Sequence, residues 1–215
     1  MKQTILALLL GSACLLANAA PREVAPAGFV QARQQFYAAL TGDQGARDDA
    51  IAAFQALSAR HPGHPLLAVY EGAGTALKGR DALMPWNKMK YAENGADAVE
   101  KALAQLTPAH DEALFNGTPE SIETRLVAVT TLLSLPDFMN RRASGRRALN
   151  AALASNVFPN AAPAVRAHLF AAAARVAAAE KRSKEEADYL RKVVALAPQA
   201  QEGVYAASRL KELGL

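Results

Sequence analysis

Apolar positions recur with a helical period along most of this chain, and proline and glycine interrupt the pattern at short intervals. Phe29, Ala32, Phe36 and Leu40 share one helical stripe, which predicts a first helix over 28–40. Ala50, Phe54 and Leu57 mark a second over 45–60, and His61-Pro62-Gly63-His64-Pro65 breaks the chain after it. A third helix is predicted over 66–78. Its Gly72 and Gly74 would be costly in a solitary helix and make sense where another helix crosses closely. The stretch 79–90, with Met84-Pro85-Trp86, is the least regular. Further helices are predicted over 91–106, 140–154, 164–181 and 201–213. Thr118-Pro119-Glu120-Ser121 reads as the start of another, with a capping hydroxyl, a proline at the first position and acid in the first turn; Pro136 ends it. Ser183 and Glu186 read as a capping box for the helix that Pro198 ends, and Asn116-Gly117 reads as a turn. Long alternating runs of β-branched residues are missing, so no strands are expected. The predicted class is all-α: antiparallel helical hairpins stacked as a short solenoid.

The N-terminus follows a different pattern. Lys2 precedes an uncharged apolar run from Thr4 to Leu16, and Ala17-Asn18-Ala19 places small residues where a signal peptidase reads. This order predicts a cleavable secretory signal over 1–19, too short for a membrane span. A flexible leader over 20–27 and one helical domain over 28–215 are expected to follow. The only cysteine, Cys14, lies inside the apolar run. Ser12-Ala13-Cys14 is the basis of an alternative, lipid-anchored reading, although Gly11 stands where a lipid-attachment signal has a Leu-like residue. With cleavage after Ala19 no cysteine remains, which excludes disulfides, thiolate nucleophiles and thiolate zinc sites from the processed chain. The expected location is therefore the periplasm.

Composition changes this picture little. Alanine dominates the apolar fraction, which favours helices that approach closely. The net charge of +4 is mild, and together with export it argues against a nucleic-acid partner.

Three segments share one shape. Counted back from a closing proline (Pro62, Pro108, Pro198), Leu57, Leu103 and Val193 coincide at five residues, Phe54 and Leu190 at eight, where the second segment has Glu100, and Ala50 and Ala96 at twelve. This resembles the second helix of a tetratricopeptide repeat, and Gly72 and Ala38 fall where that family places a small residue in its first helix. The resemblance covers 31–108 and returns over 184–213. It departs from the family in two ways: Ala68 occupies the tryptophan position, and the prolines are not spaced at multiples of about 34 residues. The chain also looks like a group of bacterial proteins that carry this repeat with a Leu-Pro-x-Phe element, here Leu135-Pro136-Asp137-Phe138. The resemblance implies a groove that holds a segment of a protein partner in the cell envelope. It implies no activity and no cofactor.

The sequence carries no convincing catalytic constellation. There is no nucleophile elbow, no His-Glu-x-x-His and no phosphate-cradling glycine loop. His61 and His64 flank a proline turn without a further ligand nearby; they read as turn residues, and no metal site is expected. Asp48-Asp49, Asp111-Glu112 and Glu185-Glu186 lie near helix starts, where acid complements the macrodipole. The chain is expected not to be an enzyme. Arg141, Arg142, Arg146 and Arg147 form the one dense cluster of a single sign; Arg142 and Arg146 share a helical face. With Lys88, Lys90 and Trp86 they are the candidate surface for an acidic partner or an anionic membrane headgroup, set against a solvated face whose arginines pair with acids of other helices. The alternative to a protein scaffold is a small-ligand or headgroup-binding helical protein.

Overall fold

A computed structural model describes residues 22–23 and 25–215; the predicted secretory signal lies outside the described residues. The described residues fold as ten α-helices with a small sheet: α1 (Phe29–Leu40), α2 (Gln44–Arg60), α3 (Pro65–Asp81), α4 (Pro85–Ala104), α5 (Ala109–Glu112), α6 (Glu120–Ser134), α7 (Arg142–Leu153), α8 (Pro163–Ala179), α9 (Ser183–Leu196) and α10 (Gln201–Glu212). Setting aside the one-turn α5, each long helix packs on the next one in the chain. Alternate helices also meet: α1 on α3, α3 on α6, α6 on α8, α8 on α10. These five form one layer. The others, α2, α4, α7 and α9, make a second layer whose members pack on the first rather than extensively on one another. This is the layering of stacked helical hairpins, in which no hairpin hides its apolar face without a neighbour. The three segments with a shared shape in the sequence fall on α2, α4 and α9, all in the second layer.

Small residues set how closely the layers approach. A Cβ built on Gly72 would stand 2.9 Å from the Ala98 Cβ, and one on Gly95 would stand 2.5 Å from the Ala76 nitrogen and 2.7 Å from the Gly72 carbonyl. The backbones of α3 and α4 therefore almost touch. Gly74 makes similar room for Ile51 of α2.

The largest side chains gather at the N-terminal end. Phe54 and Tyr70 stack with centroids 4.5 Å apart, and Phe29 meets Phe54, Tyr70 and Phe115 edge-on. Phe29, Phe54 and Tyr70 are fully buried, each contributing roughly 1.5–3 kcal/mol by burial. Where α8 meets α9 and α10 the core thins to Ala174, Leu190, Val193 and Ala206, linked to the main core through Phe170 and Tyr189.

Several local expectations need correction. Short strands do form: β1 (Arg22–Glu23), β2 (Ala113–Phe115) and β3 (Thr118–Pro119), in the order β1-β2-β3. Arg22–Glu23, within the stretch read as a flexible leader, pairs in parallel with β2. Asn116 and Gly117 both take positive φ, 51° and 72°, and this left-handed pair closes the β2–β3 hairpin. Strands of two or three residues leave no alternating pattern to detect. Thr118 does not cap α6; it lies in β3, where its hydroxyl accepts a hydrogen bond from the Ala162 nitrogen at 3.2 Å. The capping box at Ser183 is also absent. Ser183 is already helical, and Glu186 is buried and bonded to Arg209 of α10 at 2.7 Å. The irregular stretch is short: α3 extends to Asp81 and α4 begins at Pro85, a proline at the first helical position, where its missing N–H costs nothing.

Replacing Gly95 with Ala forces α3 and α4 apart, because the new methyl meets backbone rather than a mobile side-chain end. The expected loss is about 1–3 kcal/mol or more, read from the denaturant midpoint. A midpoint equal to that of the unaltered protein would contradict the close crossing.

Candidate functional site

The most distinctive concavity is an apolar cleft of about 670 Å³ between the end of α1, the facing sides of α3 and α4, and the end of α6. Phe36 and Leu77 line it from within, Met89 and Ala92 from α4, and Phe138 and Met139 from the turn after α6. That turn is a single 3-10 turn, Asp137–Met139, held by Pro136 before it and by Asn140 in the left-handed region after it. The Leu-Pro-x-Phe element thus builds one wall. No carboxylate lines the cleft; its cations are Arg80 and Lys88. Arg80 is occupied. It donates to the Ala39 and Leu40 carbonyls at 2.9 and 3.2 Å, closing the C-terminus of α1, and pairs with Asp81 at 2.7 Å. Lys88 has no ion-pair partner among the described residues. At the α3–α4 turn, Leu83 is 90% exposed and Trp86 67%; Phe138, in the opposite wall, is 66% exposed.

Behind the cleft lies a polar network buried in the aromatic core. The Glu123 Oε1 atom accepts from Arg33 Nε and from the Tyr70 hydroxyl, each at 2.6 Å, and Arg33 Nε also lies 3.1 Å from the Tyr70 oxygen. Arg33 additionally sits over the Tyr37 ring at 5.0 Å. Burial pushes the Tyr70 phenol well above its ordinary pKa, and the Glu123 charge adds to it. Burial also raises Tyr37. For Arg33, burial works downward, but the Glu123 charge prevails and the guanidinium is held protonated. With both tyrosines kept protonated and the arginine kept charged, the group ties α1, α3 and α6 together. Glu120, also buried, lies 3.4 Å from His64 Nδ1 and accepts from the Leu66 nitrogen in the first turn of α3. It serves the N-terminus of a neighbouring helix as well as its own.

The arginine cluster is divided. Arg141 pairs with Asp97 and Glu100 of α4, both at 2.6 Å. Arg142 pairs with Asp137, and Arg146 with Glu180. Arg147 alone meets no carboxylate; it donates to Ser144 Oγ at 2.7 Å and lines a separate cleft between α4, α6 and α7. Of the other candidates, Lys88 lines the apolar cleft, while Trp86 and Lys90 are exposed on α4. The histidines are engaged locally: His110 Nδ1 accepts from the Thr107 nitrogen at 2.9 Å, and His168 Nε2 lies 2.7 Å from Glu202. Among the described residues no group of three His, Cys, Asp or Glu side chains could hold a metal ion. Sequence reasoning missed Arg33, Tyr70, Glu123 and Arg125. The available signal was the presence of Glu123 and Arg125 on an otherwise apolar helix, where a charge needs a partner.

Comparison with protein-family models, with curated proteins and with solved structures finds no match to this chain.

Asp81 provides a pH test of the edge of the cleft. Its hydrogen bonds from Arg80 hold its pKa below the usual value against the opposing effect of burial, and Arg47, at 2.5 Å, adds to the depression. A depressed carboxylate stabilises the fold fully above its unfolded pKa of about 4, and that stabilisation is lost as pH falls through the lower folded value. Asp81→Asn should therefore lower the thermal midpoint at pH 7, and the gap to the unaltered protein should close below about pH 4. A gap that stays constant from pH 7 to pH 3 would argue against this pairing.

Proposed function

We propose that this chain is a non-enzymatic interaction scaffold of the cell envelope, of tetratricopeptide-like type, and that its apolar cleft holds an apolar segment of a protein partner. The observation that carries this reading is the cleft itself: about 670 Å³, without a lining carboxylate, with the exposed Phe138 in its wall and the exposed Leu83 and Trp86 close in the chain to its lining Pro85. In the chain, Leu83 and Trp86 stand on either side of Pro85, which lines the cleft, and aromatic and methionine side chains suit an adaptable protein contact. The two-layer stack supports the reading, since stacked hairpins present concave surfaces to extended or helical segments. The secretory pattern in the first residues supports the periplasm as the location. Among the described residues no helix is long and apolar enough to cross a membrane. An acidic residue on the partner segment would meet Lys88, the cleft cation without a counter-charge.

A carrier of a small apolar molecule is the second reading, favoured by a cleft volume within the range of ligand pockets. The two readings separate experimentally. A photo-cross-linking residue placed at Trp86 or Phe138 should capture one and the same periplasmic protein. The same residue at the exposed Val204 of α10 should not, and Met89→Arg should abolish the capture. Capture from all three positions alike, or capture that survives Met89→Arg, would defeat the scaffold reading. A co-purifying small molecule seen by native mass spectrometry and lost in Met89→Arg would replace it with the carrier.

A further inference from the structure

We propose that the cleft between α4, α6 and α7 binds a phosphate group through Arg125 and Arg147, a site separate from the apolar cleft and independent of the function proposed for it. The two arginines come from different helices and line one space of about 430 Å³. Arg125 projects from α6 and is half-buried. Its hydrogen bond is to a carbonyl of its own helix, Ser121 O, at 3.2 Å, and no carboxylate is bonded to it. Burial pushes its pKa down, opposed by the charge of Asp111, whose Oδ1 is already taken by the Ser121 hydroxyl. A guanidinium that has lost part of its hydration without gaining a paired anion is a cation prepared for a ligand.

Arg147 is the one member of its cluster that is not on a carboxylate. Its bond to Ser144 Oγ leaves that hydroxyl's proton free to donate into the same cleft. Glu100 also lines the cleft, but its Oε2 is bound by Arg141 at 2.6 Å. Leu103, Leu106 and Ala151 also line the cleft. Two guanidinium groups and a hydroxyl from two helices suit an oxyanion with several oxygens, such as a phosphate, whereas a planar carboxylate is satisfied by a single guanidinium fork. The phosphate can belong to a soluble phosphate compound or to a lipid headgroup.

The test uses the purified protein with two probes: inorganic phosphate by titration calorimetry, and phosphatidylglycerol vesicles by co-sedimentation. Arg147→Glu should weaken binding of the responsive probe by about ten-fold or more, the loss expected when a charge-assisted hydrogen-bond pair is removed. Arg142→Glu changes net charge equally at a residue held by Asp137, and should leave binding within about two-fold. Arg125→Met, which keeps an apolar stem, should behave like Arg147→Glu; if it fails to fold, the exposed Arg147 variant carries the test. Phosphate binding with this dependence identifies a soluble source, and vesicle binding alone with this dependence identifies a headgroup. Binding of neither probe, or equal loss in Arg142→Glu and Arg147→Glu, would overturn the proposal.

Discussion

The approach of α3 to α4 is the constraint on which the rest of the molecule depends. Gly72, Gly79 and Gly95 remove the side chains that would hold the two backbones apart; a methyl group would clash with main-chain atoms at Gly79 and Gly95 and with the Ala98 Cβ at Gly72. α3 is central to its layer and touches α1, α2, α4 and α6. The distance set at this crossing therefore passes to each neighbour. It also shapes the apolar cleft, whose walls include Gly79, Ala76 and Ala92 from the same pair.

A second device fixes the angle of that core. Small residues permit close packing but specify orientation weakly, because alanine faces slide over one another at little cost. The bonds among Arg33, Tyr70 and Glu123 are directional, and they join α1, α3 and α6 at one point. A buried carboxylate with two donors has few alternative arrangements, so this group supplies the registry that the apolar contacts leave open. Glu123 Oε2, buried without a hydrogen-bond partner, is the cost of placing a charge there.

The helical architecture was legible because its signals are local. Period, proline breaks and helix-forming alanine located the long helices to within a few residues, except for the start of α4, which lies at Pro85 rather than at 91, and the close crossing at Gly72 followed from the cost of glycine in a helix. The failed helix caps share one cause: a side chain with two possible uses was assigned its local one. Thr118 and Ser183 have the residue types of helix caps, yet Thr118 bonds across to Ala162 and Ser183 lies inside its helix. Glu186 fits a capping box by spacing and instead pairs with α10. The cleft was legible only in fragments, as Met84-Pro85-Trp86 and as Leu-Pro-x-Phe. Nothing in the spacing brings 36, 89 and 138 into one space; that juxtaposition is tertiary. The arginine cluster shows the same limit, since adjacent positions on one helix diverge to Asp97, Asp137 and Glu180.

The two cores differ in substance, and this affects how the molecule comes apart. The N-terminal core is built of stacked rings and a buried ion pair. The last hairpin rests on Ala174, Leu190, Val193 and Ala206, joined to the main body through the partly buried Phe170 and Tyr189. In an array where helices hold mainly their neighbours, cohesion is a local property. The final pair can then loosen from the end inward while the aromatic half stays folded, so amide protons in α9 and α10 would exchange by local opening long before those of α3.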